Sequence, residues 1–459
     1  MSWEKMHNEN HYSVTIDPVS RIEGHLKIKV EISDGIVVDA WSTGSLWRGM
    51  EEIFKSRDPR DAVQFTQRIC GVCPTSHAVA SAAAVEDALG VEIPEGATLV
   101  RNLLQGAEEL MSHLAALYLL EGPDYASQIP ELEPFRGKYY LQAAKIKVLS
   151  HEMAAVLGGR APHPGSVIIG GTSFFPEFGK VKRLQSMLRE IKEWVDSRVL
   201  ADVERIGKEF PEYRDIGGGT KNFMSFGAYP QAGRQPYHAQ GIFSGGKTQP
   251  LDAAKISESV EHSWFSADSV DGKNEPAVDK KDAYSWMKAP RYGGEVFELG
   301  PLARAIVSGR RKARVSVLDR LEARAEETVA LCREMEKWLV QAEDPLPNWN
   351  KDAWNIPREE RRGFGFTEAP RGGLGHWVWL SDAKIAKYSA IPPTTWNASP
   401  RDGDGQKGAI EQVLLGTPVK SAEHPVEVLR VVRSFDPCLA CACHVIDLDG
   451  KKQFDVRVL

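Results

Sequence analysis

Six cysteines stand at positions that suggest metal or thiol chemistry. Cys70 and Cys73 form one C-x-x-C pair, and Cys438 and Cys441 form a second pair almost at the far end of the 459 residues. Six cysteines are too few for a disulfide scaffold in so long a chain. Four thiolates are a soft ligand set that suits zinc, an iron-sulfur cluster or another thiophilic metal, and residue types alone do not choose among these.

The spacing of the two pairs leaves several kinds of site open. Paired C-x-x-C motifs most often hold structural zinc, and unpaired core or redox cysteines are the main alternative. In zinc ribbons, however, the second pair follows the first by about 15 to 20 residues, whereas here nearly the whole chain lies between them. A shared site must therefore join distant segments and would staple the N-terminal region to the C-terminal region.

Short motifs with charged side chains surround both pairs. They are Arg21-Ile22-Glu23-Gly24-His25, Arg48-Gly49-Met50-Glu51, Arg68-Ile69-Cys70-Gly71-Val72-Cys73-Pro74 with His77, Ala369-Pro370-Arg371-Gly372, and Asp436-Pro437-Cys438-Leu439-Ala440-Cys441 with His444. Together they resemble the large (catalytic) subunit of nickel-iron hydrogenases along essentially the whole chain. The segments YSWMKAPRYGG, ELGPLARAIV and TTWNASPRD are most similar to its respiratory uptake branch, group 1.

The resemblance implies a role for each paired cysteine. Cys70 and Cys438 would be terminal thiolates on nickel, and Cys73 and Cys441 would bridge nickel to an iron that carries carbon monoxide and cyanide. Four thiolates would place much negative charge on the nickel, and an open bridging position would remain for hydride. A structural zinc site remains the alternative for these four residues.

An arginine and a carboxylate complete the implied catalytic centre. Arg371 resembles the arginine that the family holds above the open nickel position, where it could polarise dihydrogen, and Asp436 would hold that arginine in place. Without the resemblance, an arginine paired with a carboxylate is usually only a surface ion pair. Pro370 and Thr394 would contact the diatomic ligands of the iron.

Two glutamates match other functional positions of the family. Glu23 corresponds to the gating glutamate, since a carboxylate beside a thiolate can relay a proton outward; its alternative is an ordinary strand glutamate facing water. Glu51 and His444 match ligands of a magnesium ion, or of a second iron, near the end of the mature chain. That ion would be structural.

Residues around the implied centre have weaker assignments. His77 resembles a histidine that donates a hydrogen bond to a cysteine sulfur, which orients the ligand and tunes its basicity. Some family members have a canopy aspartate over the active site, and the matching position here is Ser112, beside His113. The canopy hydrogen bonds are therefore expected to differ. Cys332 and Cys443 match no ligand position.

The chain continues past His444 as VIDLDGKKQFDVRVL. This segment resembles the extension that a maturation endopeptidase removes after nickel-insertion proteins have loaded the site, so the chain is expected to be an unprocessed precursor, cut between His444 and Val445. An attached extension would keep Cys438 and Cys441 from closing over the metal. A permanent C-terminal strand, QFDVRVL, is the alternative.

The resemblance implies reversible heterolytic cleavage of dihydrogen to protons and electrons, with hydrogen uptake as the expected direction. Electrons would pass to a small subunit with iron-sulfur clusters, and a membrane cytochrome b is a further candidate partner. Residues 1–20 lack the basic start and apolar run of a signal peptide, so export with the small subunit to the periplasmic face of the membrane is expected, and a cytoplasmic site fits equally well. A metal-free scaffold subunit derived from hydrogenases is a rival, but all four paired cysteines are present.

Charge and composition exclude other classes. The formal net charge of -6 argues against a nucleic-acid binder, which needs a basic face. Hydrophobic residues make up 42% and charged residues 26%, as in ordinary globular proteins. No stretch approaches the roughly 20 apolar residues of a transmembrane helix.

These motifs must be positioned by a fold that the sequence predicts to be α+β and mainly helical, with a central bundle of long helices. We expect a single interwoven domain over residues 1–459. Its expected parts are a β unit at 14–40, a helical core at 61–210, an α+β insertion at 212–300, a helix at 315–341, active-site loops with the second cysteine pair at 360–444, and a cleavable peptide at 445–459. Within the core, apolar spacing predicts helices at about 97 to 120, 135 to 157 and 177 to 208.

Overall fold

Alternating apolar residues near the N-terminus form an antiparallel sheet in the computed structural model, which describes residues 11–266, 275–344 and 346–442. Its strands are β1 (His11–Ile16), β2 (Leu26–Ser33) and β3 (Ile36–Gly44), in the order β1-β2-β3. Every second residue of β2, from Leu26 to Ile32, is buried. Asp34 and Gly35 form the turn to β3, both with positive φ. The sheet therefore packs one face on the core.

Long helices form the centre of the molecule. Helices α1 to α6 are Met50–Ile53, Ala62–Thr66, Pro74–Leu89, Glu95–Leu114, Lys138–Gly158 and Phe178–Glu209. Helix α4 continues as a π-helix over Ala115–Leu120, so the predicted helix at 97 to 120 changes its winding in its last turns. Helix α6 buries one residue every three or four positions, from Val181 to Ile206. That spacing is typical of a helix with one face on a core.

The region between the long helices is made of short strands. They are β4 (Val167–Ile168), β5 (Gly171–Thr172), β6 (Phe223–Ala228), β7 (His238–Ser244), β8 (Lys247–Gln249), β9 (Ile256–Ser259) and β10 (Ala289–Tyr292). In the described parts of 212–300, the helical segments are single 3-10 turns. The expected α+β insertion therefore lacks its α-helical part. Gly, Pro and Ser break the helical period there.

After β10 come two helices, α7 (Pro301–Val307) and α8 (Val317–Gln341), and then another three-stranded antiparallel sheet. Its strands are β11 (Arg361–Ala369), β12 (Gly372–Ser381) and β13 (Lys384–Ile391). The expectation of active-site loops from 360 onward is wrong for this segment. Its glycines do not mark loops, because Gly363 and Gly365 let β11 lie directly on α3: an added Cβ would come within 2.3 Å and 2.1 Å of the carbonyl oxygens of Ala84 and Ala80.

The C-terminal part of the described chain contains short helices, α9 (Pro393–Asn397), α10 (Ala409–Leu414), α11 (Val426–Arg433) and α12 (Leu439–Ala442). A continuous apolar core includes residues from Val19 to Ala442, so both ends of the described chain contribute to it. That residues 1–459 form a single interwoven domain remains a prediction. Among the described residues, no helix is both long and apolar enough to cross a membrane.

Candidate metal centre

The four paired cysteines meet at one buried point. Cys70 has an extended backbone conformation and directly follows a 3-10 turn. Cys73 lies directly before α3, whose first residue is Pro74. Cys438 lies just before α12, and Cys441 lies within it. Sulfur to sulfur, Cys70 is 3.2 Å from Cys438, and Cys441 is 3.1 Å from both Cys73 and Cys438. All four Sγ atoms lie within 4.8 Å of one another.

The electrostatics of these sulfurs favour a bound cation. Hydrogen bonds from Cys438 and the two other thiols hold the pKa of Cys70 well below its ordinary value. Burial raises the pKa values of Cys438 and Cys441 well above theirs. Four buried thiolates would repel one another, and a thiophilic cation between them is what would let all of them ionise. The donor set therefore fits a soft metal or a pair of such metals.

Backbone pairing joins the two ends of the chain beside the sulfurs. Glu23 N–H donates to the carbonyl of Pro437 at 3.3 Å, and Leu439 N–H donates to the carbonyl of Glu23 at 2.8 Å. Arg48 donates to the carbonyls of Ile69 and Ala440, the latter at 2.5 Å. Three distant segments are thus fixed together. Arg48 lies in a recognised motif, but sequence reasoning assigned it no role.

The carboxyl group of Glu23 points at the sulfurs. Its Oε2 lies 3.2 Å from Cys438 Sγ and accepts a hydrogen bond of 2.8 Å from Ala440 N–H. Burial and the negative charge of Cys70 raise the pKa of Glu23, against the lowering effect of those hydrogen bonds. A carboxyl with a raised pKa beside a thiol can take up and release a proton.

Arg371 and Asp436 form a buried pair beside the same sulfurs. Arg371 Nε donates to the backbone carbonyl of Asp436 at 2.8 Å, and Nη2 lies 3.1 Å from its carboxylate. Burial opposes the charge of Arg371, but Asp436 and the cysteines Cys438 and Cys73 outweigh it and raise its pKa well above the usual range. The Nη1 atom is buried and has no partner among the described residues, which leaves a donor for a bound group.

His77 connects the sulfurs to a hydrogen-bonded chain. Its Nε2 lies 3.5 Å from Cys441 Sγ, and its Nδ1 lies 3.1 Å from Nε2 of His376. His376 Nδ1 is 2.7 Å from the hydroxyl of Tyr388, which donates to Ser81 at 2.9 Å. Burial lowers the pKa of His77 to about 4. Sequence reasoning missed His376, because nothing in its GLGHW context points to α3.

Thr394, Pro370 and Ser112 differ in what they contact. Thr394 Oγ1 accepts a hydrogen bond of 3.0 Å from Cys438 N–H, so it lies at the centre. Pro370 is buried next to Arg371, and its carbonyl accepts a hydrogen bond from Arg304 at 3.1 Å. Ser112 is fully buried, and its hydroxyl has no partner in the described chain.

His113 contacts acidic residues rather than the cysteines. Its Nε2 lies 2.9 Å from Glu327 and 3.6 Å from Glu109. The structure therefore places it in a separate buried ionic cluster.

Glu51 lies near the end of the described chain, just past the second cysteine pair. Its Oε1 accepts hydrogen bonds from Ser389 Oγ at 2.9 Å and from Ala390 N–H at 3.1 Å. It lines a cavity of about 310 Å³ together with Ala442, the last described residue. His444, Val445 and Cys443 lie outside the described residues. Cys332 is buried in α8.

Comparisons with known proteins agree with this arrangement. Residues 48–134, 126–315 and 308–444 match a family profile described as nickel-dependent hydrogenase, and residues 13–41 match one described as HoxL-like. The large subunit of the periplasmic NiFeSe hydrogenase of Desulfomicrobium baculatum is 36% identical over 503 residues, with 97% of each chain covered. The uptake hydrogenase large subunit of Bradyrhizobium diazoefficiens is 31% identical over 583 residues, also with 97% of each chain covered.

A solved structure supports the same assignment at the level of the fold. The H2-activated NiFeSe hydrogenase of Dm. baculatum superposes with a TM-score of 0.90 at 36% identity, over 95% of this chain and 100% of that chain. The predicted α+β fold of a hydrogenase large subunit is thereby confirmed. The chain belongs to the nickel-dependent hydrogenase family, as a large subunit of these hydrogen-converting oxidoreductases.

Proposed function

We propose that this chain is the catalytic subunit that cleaves dihydrogen heterolytically into two protons and two electrons, with Cys70, Cys73, Cys438 and Cys441 as the ligands of a nickel-iron centre. The observation that carries the proposal is the meeting of four buried sulfurs, from opposite ends of the chain, within 4.8 Å. When bound, the centre would supply the redox chemistry and the site of dihydrogen cleavage. The chain supplies ligands, charge and a route for protons.

The family resemblance suggests a division of roles among the four sulfurs. Cys70 and Cys438 are neighbours across the two motifs, and so are Cys73 and Cys441. The first two would hold the nickel, and the second two would hold both the nickel and an iron that would carry carbon monoxide and cyanide. A hydrogen bond from His77 Nε2 to Cys441, at 3.5 Å, would lower the electron density on that bridge.

Arg371 would stabilise charge that develops as dihydrogen is polarised. Asp436 binds its Nε and Nη2 from one side, which leaves Nη1 as the donor available to the centre. Because the guanidinium is already fixed in place, it does not have to reorient when charge develops. Such preorganised charges are the usual source of electrostatic stabilisation in enzymes. Pro370 and Thr394 would border the diatomic ligands of the iron, and Ser112 would replace the canopy aspartate of some relatives, next to His113.

Glu23 would remove protons from the centre. A proton on Cys438 Sγ needs to cross only 3.2 Å to reach Oε2 of Glu23. The hydrogen bond from Ala440 N–H keeps that oxygen in place before and after the transfer. Glu51, with His444, would bind a structural magnesium ion or second iron beyond the second cysteine pair.

Electrons would leave through a partner subunit that carries iron-sulfur clusters, since the four paired cysteines are committed to the centre. The names of the relatives support uptake of hydrogen and a periplasmic site. A membrane cytochrome b would be the further electron acceptor. We also propose that nickel-insertion proteins load the chain and that an endopeptidase then removes residues 445–459. The intact mass of the purified protein tests the cleavage between His444 and Val445.

Infrared spectroscopy with metal analysis tests the proposed centre. The anaerobically purified protein should contain nickel and iron and show stretching bands of metal-bound carbon monoxide and cyanide. Cys441→Ser should abolish these bands and all hydrogen uptake, because a hydroxyl is a poor bridging ligand for soft metals. Cys332→Ser, at a buried cysteine in α8 outside the centre, should keep both.

Two results would contradict the proposed function. Zinc in place of nickel and iron would favour a structural staple, and turnover in Cys441→Ser would show that the bridge is not required.

A further inference from the structure

A second group of buried charged residues lies beside the candidate metal centre. Glu109 and His113 come from α4, His238 from β7, Arg304 from α7, Glu327 from α8 and Glu368 from β11. Their side chains are at most 3% exposed, so water does not solvate their charges. Such a group is costly to bury unless its members are fully paired.

Arg304 is paired through all of its five N–H groups. Nε and Nη2 donate to the two oxygens of Glu327, the former at 2.9 Å. Nη1 donates to Glu368 at 2.7 Å and to the carbonyl of Ala369 at 2.9 Å. The remaining N–H of Nη2 donates to the carbonyl of Pro370 at 3.1 Å. A guanidinium has five N–H donors in one rigid plane, so every contact here has a fixed direction.

The two carbonyls that Arg304 holds belong to the residues directly before Arg371. These residues form the turn from β11 to β12, and the turn rests on the start of α7. Gly372 has a φ of +131°, and an added Cβ there would lie 2.7 Å from Leu299 Cβ and 2.8 Å from Gly300 N. The backbone of the turn is therefore held by Arg304 and by the start of α7. The guanidinium of Arg371 is held separately by Asp436.

Charge explains why an arginine occupies this position. Glu327 and Glu368 both face it, and Glu109 lies 3.3 Å from His238 in the same cluster. Burial opposes the charge of Arg304, but Glu327 and Glu368 outweigh it and raise its pKa well above the usual range. Arg304 is thus a permanent cation that both neutralises the carboxylates and binds the turn.

Glu109, His238 and Glu327 could instead hold a metal ion, since one ligand atom of each lies within 4.8 Å of the others. Arg304 argues against this use, because it already engages both oxygens of Glu327 and would repel a cation placed between them. Metal content is therefore one outcome of the test below.

We propose that Arg304 is a positioning residue for hydrogen cleavage: it fixes the carbonyls of Ala369 and Pro370, and so sets the position of Arg371 and of the Pro370 ring at the metal centre. This inference rests on the function proposed above. Arg304 acts through the turn and contacts none of the four cysteines.

Arg304→Lys tests the proposal, with Arg101→Lys as a matched control. Arg101 is also buried, binds both oxygens of Glu86 and donates to the carbonyls of Ile168 and Gly171, and none of these partners belongs to the turn. An ammonium group has three N–H donors and cannot reproduce the planar set of five. Both variants should therefore lose stability, but only Arg304→Lys should disturb the metal centre.

The measurements are metal content, infrared bands of the iron ligands, kcat and KM for dihydrogen. In Arg304→Lys we expect nickel and iron to remain, the carbon monoxide and cyanide bands to shift or broaden, and kcat to fall about tenfold to a hundredfold with little change in KM. Arg101→Lys should keep the wild-type bands and a kcat within about twofold. Glu368→Gln, which preserves shape, should shift the bands in the same direction and serves if Arg304→Lys does not fold.

Three results would overturn the inference. One is wild-type bands and kcat in Arg304→Lys or, if that variant does not fold, in Glu368→Gln. Another is an equal band shift in Arg101→Lys, which would mean a general loss of stability. The third is an additional metal ion that Glu327→Gln removes. Absence of the bands in the wild-type protein would instead defeat the proposed function itself.

Discussion

The functional side chains at the metal centre are positioned by different hydrogen-bond partners. Arg371 is held by Asp436 at both its backbone carbonyl and its carboxylate, and Glu23 is held by Ala440 N–H. The contacts of Asp436 leave Nη1 of Arg371 without a partner among the described residues, and Oε2 of Glu23 accepts from both the Ala440 N–H and the Cys438 thiol. Substitutions can therefore remove the chemistry of a residue while keeping its neighbours in place.

Arg371→Lys should leave nickel and iron content nearly unchanged and lower kcat by at least about tenfold. A lysine ammonium cannot bind Asp436 through two nitrogens and also present a third donor to the centre. Hydrogen uptake with a soluble dye as acceptor measures the rate. Arg291→Lys, at a buried arginine paired with Asp402 outside the centre, is the control and should keep the wild-type rate. A normal rate in Arg371→Lys would remove this residue from the mechanism.

Glu23→Gln should block the exit of protons without preventing dihydrogen from binding. A glutamine can still accept the hydrogen bond from Ala440 N–H, but it cannot take a proton from Cys438 at neutral pH. We expect deuterium exchange between D2 and water to fall by about a hundredfold or more, because a positioned acid-base group contributes about that much. Conversion of parahydrogen, which needs cleavage but no exchange with solvent, should persist. Full exchange in this variant would argue for another proton route.

At the scale of elements, the position of the first cysteine pair depends on how closely β11 approaches α3. Gly363 and Gly365 line the face of β11 that contacts the helix backbone at Ala80, Ala84 and Ala88. Because α3 starts directly after Cys73 and carries His77, a change in this spacing would move both residues relative to Cys441.

Gly365→Ala is predicted to lower stability by at least about 1 to 3 kcal/mol, the usual cost of overpacking. Its Cβ would lie 2.1 Å from the carbonyl oxygen of Ala80 and 2.5 Å from Ala84 N, and a helix backbone cannot yield easily. The midpoint of thermal unfolding and the nickel content per chain should both fall. Gly179→Ala, in the exposed first turn of α6 with open space around it, should be neutral or slightly stabilising. Equal midpoints for the two variants would contradict the close packing.

At the scale of the whole molecule, buried polar groups hold distant parts of the chain together. Asp124 binds Arg433 through both oxygens at 2.8 Å and also pairs with Arg21, so it joins the two ends near the cysteines. Glu411 accepts hydrogen bonds from Ser42 N–H at 2.9 Å and from the Tyr284 hydroxyl at 2.7 Å, which links the N-terminal sheet, the middle region and α10.

Glu411 should make stability depend on pH. Burial raises its pKa in the folded protein to about 7, against a model-peptide value near 4.5. The folded state therefore binds the proton more tightly, so this contribution is complete below about pH 4.5 and is lost as pH rises through about 7. The loss amounts to about 3 kcal/mol for that shift.

The variant Glu411→Gln, which carries no titratable proton, isolates this effect. Thermal unfolding of wild type and variant at pH 5 and pH 8 should show the wild type losing stability relative to the variant as pH increases. A constant difference between the two proteins across this range would show that Glu411 does not titrate in the way we expect.

Several features follow from the sequence alone because local patterns determine them. Period-two alternation from Leu26 to Ile32 yields a strand, and three- and four-residue spacing of apolar residues yields the long helices such as Val317–Gln341. The two C-x-x-C pairs are specific enough, with their flanking motifs, to indicate the family. The local pattern predicted loops in segment 361–391 because of its glycines, but this segment is a three-stranded sheet. Its glycines allow close packing against a helix instead of marking flexible loops.

Only the tertiary structure decided which distant groups share a site. His376 lies 299 positions from His77 and Arg304 lies 66 positions from Pro370, and no periodicity relates such pairs. The identity of a buried ionic partner depends on which elements pack together, and long-range packing is a property of the whole fold. Sequence therefore determined the ligand types and most of the elements, while the fold selected the residues that position them.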